Sequence, residues 1–263
     1  MIEGKRRRLQ RIFREDERAV VIAMDHGVTL GPISGLQNMQ AIVIKLEAGQ
    51  ADAIIVHKGI AKNVSTNRVG LIVHLSASTN VGPDPTWKVQ VGSVKEAVKL
   101  GADGVSVHIN FGAVQEPQML AKLGFVARDC EEYGLPLLAM MYPRGPNIKS
   151  EHDFEAVKHA SRLGAELGAD IVKTNYTGTI DSFKEVVRGC PVPILIAGGP
   201  KAKTDRDVLE MIYDSMQAGA SGVSIGRNVF QHKDPTRMVK AVVSIVHENA
   251  TVADALEVLG AAT

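Results

Sequence analysis

Residues 166 to 176 read Glu-Leu-Gly-Ala-Asp-Ile-Val-Lys-Thr-Asn-Tyr, and the opening of this stretch recurs along the chain. Gly168 predicts the end of a helix, because glycine takes the left-handed conformation there without strain. Ala-Asp-Ile-Val then predicts a short strand rich in β-branched residues. Lys173 follows at its carboxyl end, ahead of Thr174 and Asn175. Comparable openings begin at Gly49 (Gly-Gln-Ala-Asp), Gly101 (Gly-Ala-Asp) and Gly219 (Gly-Ala-Ser).

Candidate strands are Ala19–Met24, Ala53–Val56, Leu71–Leu75, Gly104–Ile109, Pro136–Met141, Asp170–Val172, Pro193–Ala197 and Gly222–Ile225. The four glycine openings enter the even strands, while the odd ones enter through patterns such as Tyr133-Gly-Leu-Pro and Cys190-Pro-Val-Pro. Apolar stripes at the 3.6 period predict helices over Met39–Leu46, Met119–Cys130, Phe154–Leu167, Val208–Met216 and Met238–Val246. Eight strands alternating with helices, in a unit of two used four times, predict an α/β fold: a (β/α)8 TIM barrel. The 263 residues fit one such domain over 1–263, with short N-terminal and C-terminal helices. Ser150 with Asp153 predicts a helix cap, and Thr251 precedes a last helix, Val252–Leu259. The irregular stretch Ser76–Val91 is long enough to shape the barrel mouth.

A formal net charge of +1 gives no reason to expect a nucleic acid or a membrane surface as partner. No apolar run approaches the roughly 20 residues of a membrane span. The basic cluster Lys5 to Arg8 has no apolar segment behind it, so it reads as a solvated helix rather than a secretory signal. Cys130 and Cys190 lack metal-ligand or disulfide-framework spacing and read as reduced thiols of a cytoplasmic protein.

In such a barrel the residues just past each strand share one mouth. Asp25, His26, Gly27, Val28 and Thr29 follow strand one, and Tyr142, Pro143 and Arg144 follow strand five. Lys173, Thr174 and Asn175 follow strand six, and Gly198-Gly199 and Gly226-Arg227 follow strands seven and eight. Glycine turns let backbone N–H groups approach an anion, so the last two turns are a candidate phosphate site with Arg227. A lysine behind an apolar strand loses its proton readily and can attack a carbonyl, with Tyr142 and Asp25 as proton-transfer groups. From Lys173 alone the plainer reading, a solvated lysine or phosphate contact, is the stronger; the convergence of Tyr142 and Asp25 favours catalysis. A rival uses His26, His57, His74 and His108 with Asp25 as metal ligands, although no pair has close ligand spacing. Lys58, ending strand two, is a second candidate amine on a wetter turn.

The ordered set Met24-Asp-His-Gly27, Met140-Met-Tyr-Pro-Arg-Gly145, Gly168-Ala-Asp-Ile-Val-Lys-Thr174, Ile196-Ala-Gly-Gly-Pro-Lys201 and Ser224-Ile-Gly-Arg-Asn-Val-Phe-Gln231 resembles the archaeal-type class I aldolase family over nearly the whole chain. The resemblance implies a Schiff base on Lys173, a proton donated by Tyr142 and one accepted by Asp25. It implies a transaldolase-like exchange that cleaves a phosphorylated keto sugar, 6-deoxy-5-ketofructose 1-phosphate, and adds its enamine-bearing fragment to L-aspartate semialdehyde. The product would feed 3-dehydroquinate and aromatic amino acid biosynthesis. It further implies no cofactor, no metal, and a homo-oligomer, a decamer of two pentameric rings. Fructose-bisphosphate aldolases of the same type share the lysine and the phosphate turns and are the alternative. A thiolase-like enzyme of a phosphorylated quorum-sensing signal resembles residues 189 to 259 but lacks the Tyr-Pro-Arg. A phosphosugar sensor would leave Lys173, Tyr142 and Asp25 without a use.

Overall fold

The computed structural model describes residues 2–260. Among these, eight parallel strands close into a barrel. They are β1 (Ala19–Ala23), β2 (Ala53–His57), β3 (Gly70–His74), β4 (Gly104–Phe111), β5 (Leu137–Pro143), β6 (Ile171–Thr174), β7 (Ile194–Ala197) and β8 (Gly222–Ile225). Each pairs with its sequence neighbours, and β1 closes the ring against β8 in the register Ala19↔Gly222 to Ile22↔Ile225.

Period two along each strand divides the side chains between two cores. Val21 and Ala23, Ile55, Ile72, Leu138 and Met140, Ile171 and Leu195 fill the barrel interior. Val20, Ile22, Val107, Met141, Val172 and Ile196 face the helical shell. Ile12, with Leu9 and Phe13, belongs to the interior cluster and plugs its N-terminal end. The shell includes helices Met39–Ala48, Glu116–Tyr133, Phe154–Glu166, Asp205–Gln217 and Pro235–Glu248, each longer than its apolar stripe except Phe154–Glu166, which stops one residue before Leu167. The extra residues are polar first and last turns, which periodicity does not report.

The glycine openings acquire a physical reason. Asp52, Asp103 and Asp170 accept hydrogen bonds from the backbone N–H of Val20 (2.6 Å), Leu71 (3.0 Å) and Leu137 (2.8 Å), at or next to the start of the preceding odd strand. Their own N–H groups donate back to the same three carbonyls. Each aspartate thus ties an even strand to its odd neighbour. At the fourth opening Ser221 keeps the backbone half, donating to Ile194 O. Gly168, at φ +97°, follows the helix end at Leu167, and a Cβ there would lie 2.9 Å from that of Ala127.

The same aspartates explain part of the basic N-terminus, where Arg6 and Arg7 are exposed on a helix as expected and Lys5 is the exception. Helix Glu3–Leu9 forms, but Lys5 is 1% exposed. It pairs with Glu131 and, at 3.1 Å, with Asp170. Arg11 pairs with Asp103 at 2.9 Å and Arg14 with Asp52 at 2.5 Å. Three cations therefore neutralise three repeated carboxylates at the N-terminal face.

Two capping expectations separate. Thr251 caps helix Val252–Leu259 in a reciprocal pair with Asp254. Before Phe154 the cap is Asp153 alone, whose side chain accepts from Ala156 N; Ser150 instead accepts at Oγ from His152 N. Ser76–Val91 is not wholly irregular: Ser76–Ala77 and Val89–Gln90 pair as a two-stranded hairpin. No described helix is long and apolar enough to cross a membrane.

Candidate active site

The inward rows of the strands position the site. In β5, Leu138 and Met140 lie inside the barrel, so Tyr142 continues their row. In β6, Ile171 lies inside, so Lys173 two residues on points the same way, level with Met140 and Leu195. Both side chains stand within the strands rather than just past them, because β5 runs to Pro143 and β6 to Thr174. Their polar ends emerge above an apolar floor.

Above that floor opens a cavity of about 410 Å³. Asp25, His26 and Thr29 line it from the end of β1; Tyr142, Arg144, Lys173 and Asn175 from β5 and β6. Gly198, Gly199, Gly226 and Arg227 complete the wall over β7 and β8. Four expected residues do not line it. Gly27 and Val28 sit on the far side of the one-turn helix His26–Leu30, whose i, i+3 spacing turns His26 and Thr29 inward. Pro143 and Thr174 occupy outward steps of their strands, and Thr174 Oγ1 donates to Met141 O at 2.9 Å.

Lys173 is 6% exposed. Burial lowers its pKa from 10.5 to about 8; the Asp25 charge opposes this and Arg144 adds to it. The neutral amine is thus accessible near neutrality. Burial also works against the charge on Asp25, yet His74, His26, Lys173 and His57 outweigh it and hold the carboxyl well below the usual range. Burial drives the Tyr142 phenol well above its ordinary value, so it stays protonated. The Arg144 guanidinium lies 4.6 Å over the Tyr142 ring, and its Nε donates to Glu151 Oε2 at 2.6 Å. An amine, an anionic carboxylate and a protonated phenol therefore share one cavity.

Gly226 must be glycine, since a Cβ would lie 2.6 Å from Ala23 O and 2.7 Å from His26 Cε1. Asn228 joins the two glycine turns: Nδ2 donates to Gly198 O at 2.8 Å and Oδ1 accepts from Ala202 N. Buried polar atoms without partners among the described residues include Ser224 Oγ, Arg227 Nε and His26 Nδ1, all on residues of the cavity wall.

The strand-end histidines are structural neighbours of this site. His74, 3% exposed, shares a hydrogen bond with Ser106 Oγ at 2.7 Å and approaches Asp25 Oδ2 at 3.7 Å. Burial lowers its pKa to about 3, so it is neutral. His57 meets it edge-on. His108 bonds Asn110 Oδ1 at 2.8 Å and packs edge-on to Tyr142. Among the described residues, no group of three or more His, Cys, Asp or Glu side chains is placed to hold a metal ion. Lys58 is half exposed and paired with Glu96 at 2.8 Å.

Sequence reasoning missed Thr86 and Lys88 of the hairpin loop, Asn110 of β4 and Ser224 of β8, all on the cavity wall, where His108 of β4 also stands, a residue the sequence offered only as a metal ligand. The inward period of β4 and β8 was a usable signal for Asn110 and Ser224; Thr86 and Lys88 fall in the stretch expected to shape the mouth, but nothing local singles them out.

Residues 19–232 match the DeoC/LacD family of aldolases. The chain belongs to that family. It is 48% identical over 249 residues to the 2-amino-3,7-dideoxy-D-threo-hept-6-ulosonate synthase of Halobacterium salinarum, covering 94% of this chain and 93% of the relative. It is 40% identical over 259 residues to the 2-amino-4,5-dihydroxy-6-oxo-7-(phosphonooxy)heptanoate synthase of Streptomyces griseus, covering 97% and 94%. An archaeal fructose-1,6-bisphosphate aldolase, solved with its catalytic lysine covalently bound to the carbinolamine intermediate of its substrate, superposes with a TM-score of 0.86 at 33% identity, covering 92% of this chain and 99% of that one. The family, the barrel and a class I aldolase as structural neighbour agree with the expectation drawn from the sequence.

Proposed function

We propose that the aldolase is a Schiff-base 2-amino-3,7-dideoxy-D-threo-hept-6-ulosonate synthase acting through Lys173, Tyr142 and Asp25. The observation that carries this reading is a buried lysine with a depressed pKa, beside a protonated phenol and an ionised carboxylate in the same cavity. The 48% identical relative of that name supports the choice of reaction.

The Lys173 Nζ lone pair adds to the ketone carbon of 6-deoxy-5-ketofructose 1-phosphate, and loss of water gives an iminium. The iminium takes up the electron pair of the bond between its α- and β-carbons as Asp25 removes the proton of the β-hydroxyl; the β-carbon leaves as an aldehyde and an enamine stays on the lysine. The enamine carbon attacks the aldehyde of L-aspartate semialdehyde while Tyr142 protonates the new alkoxide. Water then releases the product and restores the amine, and Asp25 and Tyr142 exchange their proton with water between the half-reactions. The iminium is the electron sink, so the reaction needs no cofactor or metal. Gly198, Gly199, Gly226 and Arg227 hold the phosphoryl group. The product enters the 3-dehydroquinate route to aromatic amino acids. Two buried free cysteines fit a reducing cytoplasm. Exposed Val114 and Phe125 fit a homo-oligomer, the decamer of the resemblance.

The lowered Lys173 pKa has a testable sign. Below pH 8 the neutral fraction rises about tenfold per pH unit, and it levels off above. Single-turnover adduct formation is therefore expected to reach its plateau near pH 8; a rate still climbing past pH 10 would mark an ordinary lysine.

A second reading rests on the orphaned Arg227 Nε and Ser224 Oγ beside the glycine turns. They favour a phosphate retained on the enamine half, as the name of the Streptomyces griseus relative describes for its product. Assaying L-aspartate semialdehyde with the deoxy keto sugar phosphate and with dihydroxyacetone phosphate, beside fructose 1,6-bisphosphate cleavage, decides among them by kcat/KM. The deoxy sugar is expected to lead, and a lead by fructose 1,6-bisphosphate would replace the synthase by a glycolytic-type aldolase.

A further inference from the structure

Two buried polar side chains behind Asp25 take no part in the proposed chemistry. His74 ends β3, and Ser106 lies beside it in β4 as its partner in the strand register. Ile72 lies inside the barrel, so His74 two residues on points inward; Val105 and Val107 face the shell, so Ser106 between them also points inward. Neither lines the cavity, and both are closed from solvent, at 3% and 0% exposure. They meet the chemistry at Asp25, whose Oδ2 stands 3.7 Å from His74 Nε2.

His74 is neutral, so its ring carries one N–H, and the two places for that hydrogen are not equivalent. On Nδ1 it would donate to Ser106 Oγ, 2.7 Å away, and leave the serine hydroxyl hydrogen without an acceptor among the described residues. It would also turn the Nε2 lone pair toward an anionic carboxylate. If the serine instead donates to Nδ1, Nε2 carries the hydrogen and presents it to Asp25 Oδ2. Only the second placement leaves no buried group unpaired or opposed, and burial makes that difference decisive. The hydrogen-bond network therefore assigns the Nε2–H tautomer to His74.

The contact from Nε2 to Oδ2 is longer than a hydrogen bond; contacts of this length between catalytic groups tighten in the complex with substrate. It leaves Oδ1, 3.9 Å from His26 Nδ1, as the oxygen for the β-hydroxyl proton. The titratable and charged groups around Asp25 are His26, His57 of β2, His74, Lys88 of the hairpin loop, Tyr142 of β5 and Lys173 of β6. Those around His74 are Asp25, His57, His108, Lys122 and Lys173. Lys173 changes charge during the cycle, whereas the N–H of His74 supports the carboxylate throughout.

We propose that Ser106 and His74 are positioning residues that fix Asp25 as the base: Ser106 sets the imidazole tautomer, and Nε2–H holds Oδ2 and keeps the carboxyl ionised while the carbon–carbon bond breaks. The inference deepens the Schiff-base reading and rests on it.

The test mixes wild type, Ser106→Ala, His74→Gln and His74→Leu with the keto sugar phosphate, traps with borohydride between about pH 6 and 8, and reads the adduct by mass. Reduction before cleavage leaves the whole keto sugar on Lys173; reduction after it leaves only the enamine-derived fragment. The uncleaved share thus reports the Asp25 step, apart from how much imine has formed. Wild type is expected to show a small uncleaved share that does not change with pH. In His74→Leu the burial of Asp25 is less opposed, so its pKa rises and the ionised fraction falls as pH drops. Cleavage is expected to slow by about ten- to a hundredfold at the acid end, the scale of one hydrogen bond to a charged group. Glutamine carries an N–H close to where Nε2 stood, so His74→Gln is expected to regain most of the cleavage, and Ser106→Ala to fall between the two histidine variants. Persistent total trapping shows that the variants fold and load their donor; if His74→Leu does not trap, the same comparison is decided by Ser106→Ala, one atom smaller than wild type. An uncleaved share equal to wild type in the variants that trap overturns the positioning role. So does a rise that is equal at every pH and not regained in His74→Gln, the mark of lost packing. No trapping even in wild type removes the Schiff-base reading and this inference with it.

Discussion

Lys173→Met is expected to lower kcat/KM by on the order of 10⁴-fold or more and to abolish borohydride trapping of the keto sugar. No other group in the cavity can form the imine with comparable ease. Lys88 is tethered to Ser78 on the far side, and Lys58 is paired with Glu96 outside the cavity wall. Methionine is only one atom shorter than lysine and removes a buried ammonium, so the variant is expected to fold with undiminished stability. A thermal melt run beside the assay separates lost chemistry from lost structure. Residual turnover within about tenfold of wild type would place the nucleophile elsewhere.

Tyr142→Phe is expected to slow turnover by roughly two orders of magnitude or more, while the donor still loads onto Lys173. The substitution keeps the ring that meets His108 edge-on and carries the Arg144 guanidinium on its face. It removes only the hydroxyl. Because burial holds that hydroxyl protonated across the working pH range, the proposed mechanism uses it as a donor, and the loss should appear in kcat more than in KM. Wild-type turnover with a raised KM would make Tyr142 a binding group instead.

The barrel was legible because two periods superpose in this chain. Apolar runs between helices give the strands, and the Gly-Ala-Asp opening marks alternate ones. That opening proved to be a clamp between strand pairs, through Asp52, Asp103 and Asp170. The basic N-terminus misled because charge alone does not distinguish a solvated lysine from one, like Lys5, that meets carboxylates more than 100 positions away. Strand ends were read short at Tyr142 and Lys173, since polar residues on an inward row look like the start of a loop. The depth of the site follows from that difference: the reactive groups rise from inside the strands, in apolar surroundings that shift their protonation.

The candidate site was legible where residues sit on strand ends and opaque where they arrive from loops. Asp25, Arg144, Lys173 and the glycine turns could be placed by counting strands. Lys88 could not, because its position depends on side-chain bonds from Asn110 and Lys122 to the loop backbone. Gly27, Val28, Pro143 and Thr174 share motifs with wall residues and face away from the cavity, which the period of a strand or a single helical turn settles.

The most direct test is to incubate the enzyme with the keto sugar phosphate at pH 8, reduce with borohydride, digest, and sequence the modified peptide by mass spectrometry. The account predicts one reduced adduct, on Lys173. An adduct on Lys88 or Lys58, or full turnover with no adduct on any lysine, would contradict it.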